Sequence, residues 1–431
     1  MKEIETEAHA IHSMPIVNAK KELNKIQTML MDPKTGVNVK AILSTKRGPL
    51  VQRITALRLE FAKVKEAKIN ELAEKYQGTD KSEIATYLEG CLADYESGHL
   101  SEIIKTRELS DYPPEHVTLT IPAVYEKPTR SDMAVLLVYF NACSYKNLER
   151  NLKLTYQSLI NAEIPVFLVE HLFKGQEPIF PENGTTIFNT RSDSYMFYKE
   201  NLLNWLMPKV PAQFTKFYMM DCDLIFSNPR WYDDVSALLD THDVVQPFQE
   251  AIWLKSNLNT IYMKRIGIVY ANSLGYTLNL STHHPGFAWA FRREFIEPIG
   301  IFDLNVLGSA DTVLGYAAVQ KKPKVSYWKT FNIECDYKSN NIYIDLFNNV
   351  RTTYYPNNTV YHLWHGSRLN REYNNRYTLF KAYCLKNNIF RYSDLFEKNT
   401  YDLYEYKDNA IEDLNKIILD YFKNRDEDGI E

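Results

Sequence analysis

Residues 217–226 constrain this chain more than any other stretch. An apolar run leads into Asp221 and Asp223, and a second apolar run follows. Because alternate side chains of an extended chain point the same way, both aspartates can face one side at the end of a buried strand. Two carboxylates held there cost too much free energy to remain unpaired. A divalent metal that carries a substrate's phosphates is the best candidate for the balancing charge.

The length and the charge of the chain limit its class. At 431 residues, the chain suits a large catalytic domain plus an extension. Its formal net charge of −4 argues against a protein that holds nucleic acid over its whole surface. No apolar run approaches the length needed to span a bilayer, so we expect no transmembrane segment.

The cysteines and the first residues indicate a compartment. The cysteines are scattered and form no CxxC pair, which is typical of reduced thiols and not of a disulfide framework or a zinc site. Residues 1–7 are charged and do not resemble a signal peptide. We therefore expect a cytoplasmic protein, in the host cytoplasm if the chain is viral.

The chain divides into three predicted parts. Residues 1–125 are predicted to form a helical N-terminal domain, since apolar residues recur at helical spacing over residues 51–76. The polar face of this helical stretch is either a solvated surface or part of an arm that binds a partner or acceptor. Prolines between residues 113 and 128 mark the boundary. A catalytic domain is predicted over residues 126–395, and a C-terminal helical tail over residues 396–431.

The central part has the sequence pattern of an α/β domain. Residues 133–140 form a continuous apolar run, as expected of a strand covered on both faces. A helical stretch over residues 146–162 and a second strand over 164–170 complete a βαβ unit with a right-handed crossover. Further strands are predicted at 185–188, 243–248, 286–293 and 360–362, and further helices at 192–207, 231–239, 310–319 and from 376 onward.

Polar side chains follow several of these predicted strands. Ligands of open α/β sheets bind outside the carboxyl ends of the strands, so these side chains can converge on one crevice. Taken singly, each could instead be a loop residue that makes a turn or a cap. The residues are Tyr139, Asn141, Glu170, Arg191, Asp221 and Asp223.

Over residues 133–380 the chain resembles the GT-A-fold nucleotide-sugar glycosyltransferases. The Arg-Ser-Asp-Ser-Tyr-Met-Phe-Tyr-Lys stretch at 191–199 and the Asp-Cys-Asp strand at 218–226 are similar to the glycogenin-like branch. Gly-Phe-Ala-Trp-Ala-Phe at 286–291 and Gly-Ser-Ala-Asp-Thr at 308–312 resemble acceptor-side motifs of family-2-like enzymes. The resemblance implies a Rossmann-like, mostly parallel mixed sheet with flanking helices. The first 130 residues fall outside it.

The resemblance also implies which residues bind the sugar donor. It implies that Asp221 and Asp223 bind Mn²⁺ or Mg²⁺ together with the donor's diphosphate, whose charge the metal neutralises as the glycosidic bond breaks. Such enzymes usually add a late histidine ligand, and His362 and His365 are both candidates, with one of them expected to be a packed core histidine. The remaining donor contacts that it implies are Tyr139, Asn141 and Glu170 at the base or ribose, Arg191 and Lys199 at the phosphates or the sugar, and Arg368 at the diphosphate.

Asp311 is the candidate catalytic residue on the acceptor side. One interpretation is an N-cap, whose side chain satisfies free N–H groups of the helix that follows. The other is a catalytic base that takes the proton of the acceptor hydroxyl, as an inverting enzyme requires. His284, Gly286 and Trp289 are candidates to line the sugar site, although Trp289 could equally be a core residue on an alternating strand.

These residues predict a metal-dependent glycosyltransferase, a hexosyl- or pentosyltransferase that uses a nucleoside-diphosphate sugar, most often UDP-linked in this fold, with inversion favoured. Two alternatives stay open. One is a metal-dependent nucleotidyltransferase or phosphohydrolase, which also uses paired carboxylates. The other is a non-catalytic sugar-nucleotide-binding protein on the same scaffold. The acceptor could be a glycan, a protein, a lipid head group or modified DNA.

Overall fold

The computed structural model describes residues 116–280, 282–323, 338–371 and 376–429. All of them fall within one compact unit, Pro114–Glu431. The helices predicted for the N-terminal domain lie outside the described residues and stay predictions. Within the described ranges, no helix combines the length and the apolar character that crossing a membrane requires.

The predicted βαβ unit is confirmed. Strand β1 (Met133–Phe140), helix α1 (Lys146–Asn161) and strand β2 (Val166–Leu172) follow one another, and the two strands pair in parallel with Val135 opposite Val166. The side chains of β1 are buried along nearly its whole length, because both faces of the sheet are covered. This unit forms the centre of the fold.

Strand β3 (Ile187–Arg191), helix α2 (Lys199–Leu206) and strand β4 (Lys216–Met220) come next. The helix predicted from residue 192 begins only at Lys199. The Ser192 hydroxyl bonds to the Tyr198 hydroxyl at 2.8 Å and donates to the Ser194 carbonyl at 2.9 Å. Such short-range side-chain bonds compete with helical hydrogen bonding and hold residues 192–198 as a loop.

The other described elements are short. The strands are β5 (Leu224–Phe226), β6 (Val244–Gln246), β7 (Glu250–Leu254), β8 (Ile261–Gly267), β9 (His283–His284), β10 (Ala288–Arg292), β11 (Thr352–Tyr354), β12 (Thr359–His362), β13 (Phe396–Lys398) and β14 (Tyr404–Tyr406). The helices are α3 (Trp231–Leu238), α4 (Ile268–Ser273), α5 (Arg293–Ile296), α6 (Ala310–Ala318), α7 (Lys338–Asp345), α8 (Thr378–Lys386), α9 (Tyr392–Leu395) and α10 (Asp408–Asn424). Short 3₁₀ segments lie at Met207–Lys209 and Arg368–Arg371.

The predicted α/β class with a mixed sheet and flanking helices is confirmed. The main sheet has the strand order β11-β6-β10-β4-β1-β2-β3, in which β10 runs antiparallel to both neighbours and the other pairs are parallel. A second sheet has the order β5-β12-β7-β8-β9. The chain passes from the first sheet to the second between β4 and β5, where Asp221 and Asp223 lie.

Backbone hydrogen bonds fix this passage on both sides. The Asp221 N–H donates to the Phe287 carbonyl at 2.9 Å, next to β10 of the main sheet. The Leu363 N–H donates to the Asp223 carbonyl at 2.8 Å, just after β12 of the second sheet. Each aspartate is therefore tied to a different sheet.

The prediction that residues 396–431 are helical is only partly correct. A hairpin of β13 and β14 precedes helix α10. The Asn399 side chain accepts hydrogen bonds from the N–H groups of Tyr401 and Leu403 at 2.9 and 3.1 Å, which closes a tight turn. The Phe396 and Tyr404 rings pack across the hairpin with centroids 5.4 Å apart. Turn chemistry and cross-strand aromatic packing thus outweigh the helical pattern here.

Residues 425–429, which we call the closing segment, pack against the domain. The Asp428 carboxylate accepts hydrogen bonds from the first N–H groups of α1, those of Lys146 and Asn147, at 2.9 and 2.8 Å. The Trp364 indole N–H donates to the Gly429 carbonyl at 2.9 Å. Gly366, at φ +88°, lies so close that an added Cβ would stand 2.5 Å from the Asp426 carbonyl oxygen.

We predict that Gly366→Ala destabilises the protein more than Gly175→Ala does. Both glycines have a left-handed backbone, at φ +88° and +82°, so each alanine costs about 1–2 kcal/mol in backbone strain. Only the alanine at 366 also meets the closing segment, since no described atom lies within 4 Å of the Cβ position at 175. Urea unfolding of the two variants measures the difference, and equal losses would contradict this packing.

Candidate functional site

A cleft lies where the chain passes between the two sheets. The residues that line it come from the end of β1, the start of α2, the passage itself, the loops before β10 and α6, the loop after β12, and the closing segment. Most of the predicted site residues line this cleft: Tyr139, Asn141, Lys199, Asp221, Asp223, His284, Asp311, His362 and His365.

Two of the predicted donor contacts lie outside the lining of the cleft. The Glu170 carboxylate accepts hydrogen bonds from the backbone N–H groups of Ile179 and Phe180 at 2.9 and 3.1 Å. Burial raises the pKa of this carboxyl group, and the two N–H groups oppose that rise. The exposed Arg191 donates to the Gln176 carbonyl at 3.0 Å. Both side chains hold the loop after β2.

Trp289 and Arg368 also lie outside the lining. Trp289 is buried in β10, and its indole N–H donates to the Pro285 carbonyl at 2.8 Å. The Arg368 guanidinium lies 5.5 Å from the centre of the Trp253 ring. Trp253 itself lines the cleft, so Arg368 supports the wall from behind.

Three side chains could hold a metal ion. Ligand atoms of Asp223, His362 and His365 all lie within 4.8 Å of one another. Asp223 Oδ2 is 2.8 Å from His365 Nε2 and 3.4 Å from His362 Nε2. Asp223 Oδ1 is buried and has no hydrogen-bond partner among the residues that the structure describes. An orphaned carboxylate oxygen beside two imidazole nitrogens fits a bound cation.

The charge states of Asp223 and His362 suit metal binding. Burial and Arg371 would lower the pKa of His365, but Glu427 and Asp223 outweigh them and raise it. Burial favours the neutral form of Asp223, but His362, His365 and Arg371 outweigh it and hold the pKa of that carboxyl group well below its usual range. Burial lowers the pKa of His362 to about 3, so its imidazole is neutral. An ionised carboxylate and a neutral imidazole are the forms that coordinate metals.

Asp221 has a different partner. Its carboxylate forms an ion pair with the Lys199 ammonium at the start of α2. Burial raises the pKa of Asp221 to about 6, with help from Asp223 and Asp311, while Lys199 opposes the rise. Burial alone would lower the pKa of Lys199, but Asp221, Glu200 and Asp311 outweigh it, so the ammonium keeps its charge. The two aspartates thus lie on one wall of the cleft and pair with different side chains.

Asp311 lies in the first turn of α6, and the N-cap position belongs to Ser309. The N-cap interpretation of Asp311 is therefore wrong. Gly308 and Ser309 both have left-handed backbone, at φ +82° and +87°, and this turn starts the helix two residues earlier than that interpretation requires. Asp311 Oδ1 accepts the Thr312 N–H at 2.9 Å, which leaves Oδ2 on the side of Gly286.

Asp311 Oδ2 and His284 Nε2 border the same small space above Gly286. A Cβ at Gly286 would clash with Asp311 Oδ2 and stand 3.3 Å from His284 Nε2. Both ring nitrogens of His284 are buried and lack a hydrogen-bond partner in the described part of the chain. Burial holds the pKa of His284 well below its usual range. A neutral imidazole and a carboxylate that flank one space can bind a hydroxyl group between them.

The predicted base-binding pair, Tyr139 and Asn141, lies at the end of β1. The Asn141 amide donates to the Tyr139 hydroxyl at 2.9 Å and to the Tyr145 carbonyl at 2.8 Å. The side-chain carbonyl oxygen of Asn141 accepts a hydrogen bond from the Tyr145 N–H at 2.9 Å. Asn141 therefore shapes the loop before α1 and orients the Tyr139 hydroxyl at the cleft.

Sequence reasoning missed Glu200 and Glu427, which both line the cleft. Glu200 follows Lys199 on α2 and is buried, and a charged residue on the apolar side of the helix was the signal that could have found it. Glu427 belongs to the closing segment and contacts His365 Nδ1 and Arg425. No local pattern marks Glu427, because its contact with His365 joins residues that are 62 apart in the sequence.

No protein-family model matches the chain, and no curated protein matches its sequence. The resemblance described above therefore rests on the sequence motifs alone.

We predict that Glu200→Gln flattens the dependence of stability on pH. Burial raises the pKa of Glu200 to about 8 from an ordinary value of 4.5. The folded protein then holds a proton that the unfolded chain releases, so the free energy of unfolding falls as pH rises from about 4.5 to about 8. Glutamine removes this contribution.

Urea unfolding at pH 5, 6.5 and 8 measures the effect. The exposed Glu397→Gln variant is the matched control and should follow the wild-type curve. The interpretation fails if Glu200→Gln loses as much stability between pH 5 and pH 8 as the wild type does.

Proposed function

We propose that this chain is a metal-dependent glycosyltransferase of the GT-A fold, which transfers a sugar from a nucleoside-diphosphate sugar to an acceptor hydroxyl. One observation carries the proposal. Two aspartates one residue apart leave a buried strand of a mixed α/β sheet, and one faces two histidines while the other faces a lysine. Asp311, a further carboxylate, lines the same cleft. Donor binding and acceptor activation need these groups in one place.

The residues present fit a divalent cation. Asp223, His362 and His365 would hold it, and the orphaned Asp223 Oδ1 supplies a further oxygen. Two imidazoles favour a transition-metal ion such as Mn²⁺ over Mg²⁺, which prefers oxygen ligands. When bound, the cation would neutralise charge that develops on the leaving diphosphate.

The cations of the cleft suit the diphosphate of a donor. Lys199 keeps its charge beside Asp221 and can donate hydrogen bonds to a phosphate oxygen or a sugar hydroxyl. Arg371, Arg376 and Arg425 also line the cleft. Guanidinium groups bind phosphates through paired N–H donors, so these side chains favour an anionic substrate.

Asp311 is the base in this proposal. The acceptor oxygen attacks the anomeric carbon as the bond to the diphosphate breaks on the opposite face, and the acceptor proton passes to Asp311 Oδ2. His284 can hold a substrate hydroxyl beside that oxygen, since both border the space above Gly286. The absence of a side chain at Gly286 leaves room for the Asp311 carboxylate, since an added Cβ would clash with Oδ2.

We predict nucleotide release that depends on Mn²⁺ and on Asp223. A screen of UDP- and GDP-sugars with the Mn²⁺-loaded protein should give UDP from at least one UDP-sugar. Asp223→Asn should slow this release by about 100-fold or more, because charge stabilisation by a metal contributes several kcal/mol. Asp402→Asn, at an exposed turn of the β13–β14 hairpin, is the matched control and should behave as the wild type.

Two outcomes of the screen would contradict this proposal. One is UDP release that persists at the same rate in EDTA. The other is release of pyrophosphate or phosphate in place of UDP, which would indicate the nucleotidyltransferase or phosphohydrolase alternative.

We predict that Asp311→Asn abolishes turnover but keeps donor binding. Loss of a general base should lower kcat by about 100- to 10,000-fold. The Kd for UDP in the presence of Mn²⁺ should stay within about threefold, because Asp311 is not among the proposed metal ligands. NMR of the first-formed product should show inverted anomeric configuration in the wild type. Retained configuration would exclude Asp311 as the base at the acceptor.

A further inference from the structure

We propose that Glu427 of the closing segment is a positioning residue of the metal site, which orients His365 toward Asp223. This inference rests on the proposed function, since it takes Asp223, His362 and His365 as metal ligands. Nothing in the sequence near Glu427 indicates such a role. It depends on how the closing segment packs.

The contacts of His365 carry the inference. Its Nδ1 contacts the Glu427 carboxylate, while its Nε2 lies 2.8 Å from Asp223 Oδ2. His365 and Glu427 are only 5% and 2% exposed, so solvent does not replace either contact. A carboxylate on one ring nitrogen keeps the proton there and leaves the lone pair of the other nitrogen toward a metal.

Glu427 is itself held in place by charge. Arg425 forms an ion pair with Oε1, and Arg371 lies 3.8 Å from Oε2. The two guanidinium groups balance the charge of a carboxylate behind His365, where it can orient the imidazole.

The backbone of Glu427 is fixed as well. Its carbonyl accepts a hydrogen bond from the Asn147 side chain at 3.0 Å, and its Cα lies 2.7 Å from the Cβ position of Gly366. Asp428 and Gly429 anchor the segment to α1 and to Trp364. The closing segment thus presents Glu427 at one position relative to His365.

The experiment measures Mn²⁺ affinity by electron paramagnetic resonance of the free ion, in the full-length wild type and two variants. Glu427→Gln should weaken Mn²⁺ binding by about 10- to 100-fold, as for other carboxylates behind metal-bound histidines. Asp402→Asn is the matched control. It removes a carboxylate at an exposed turn of the β13–β14 hairpin, outside the closing segment, and its Mn²⁺ affinity should stay within about threefold of the wild type.

Melting without metal shows whether each variant folds. Glu427→Asp is a second variant if Glu427→Gln does not fold. It keeps the charge beside Arg371 and Arg425 but shortens the reach to His365 Nδ1, so its Mn²⁺ affinity should lie below that of the wild type. Wild-type affinity in Glu427→Asp would overturn the inference, since the contact with Nδ1 would then have no effect.

The remaining outcomes separate this inference from the proposed function. If the wild type binds Mn²⁺ and Glu427→Gln binds it equally well, or if Asp402→Asn weakens binding as much, only the role of Glu427 fails. If the wild type binds no Mn²⁺, both fail. If Glu427→Gln weakens Mn²⁺ binding but no nucleotide sugar is turned over, the role of Glu427 stands and the proposed function fails.

Discussion

The free-energy cost of burying Asp221 and Asp223 is the constraint on which the rest of the site depends. Carboxylates in a buried position need compensating charge. The fold supplies it from two directions, with Lys199 at the start of α2 for Asp221, and His365 and Arg371 beyond the end of β12 for Asp223. These partners come within reach of the aspartates through three features of the fold. They are the passage between the two sheets, the late start of α2 and the turn after β12.

The sequence allowed the elements with continuous apolar runs to be predicted. Strand β1 and strand β4, which ends just before Asp221, were predictable because a strand buried on both faces is mostly apolar. The cleft residues that directly follow such strands, Asp221 and Asp223, were predictable for the same reason. Lys199 was found through its motif.

Other features depend on contacts that no local pattern reveals. The loop at 192–198 is held by the Ser192 and Tyr198 hydroxyls, although its apolar spacing is helical. Glu170 follows a buried strand as predicted, but its carboxylate is taken up by backbone N–H groups of the next loop. Glu427 reaches the site only because the closing segment packs against α1 and Gly366.

The division of the two aspartates between two sheets has a mechanical consequence. Asp223 shares a backbone hydrogen bond with Leu363, so it would move as one body with His362 and His365. The Asp221 N–H donates a hydrogen bond to the Phe287 carbonyl, so Asp221 would move with the main sheet and Lys199. A small rotation of one sheet against the other would therefore change the spacing between Lys199 and the proposed metal ligands, while Asp223, His362 and His365 kept their arrangement.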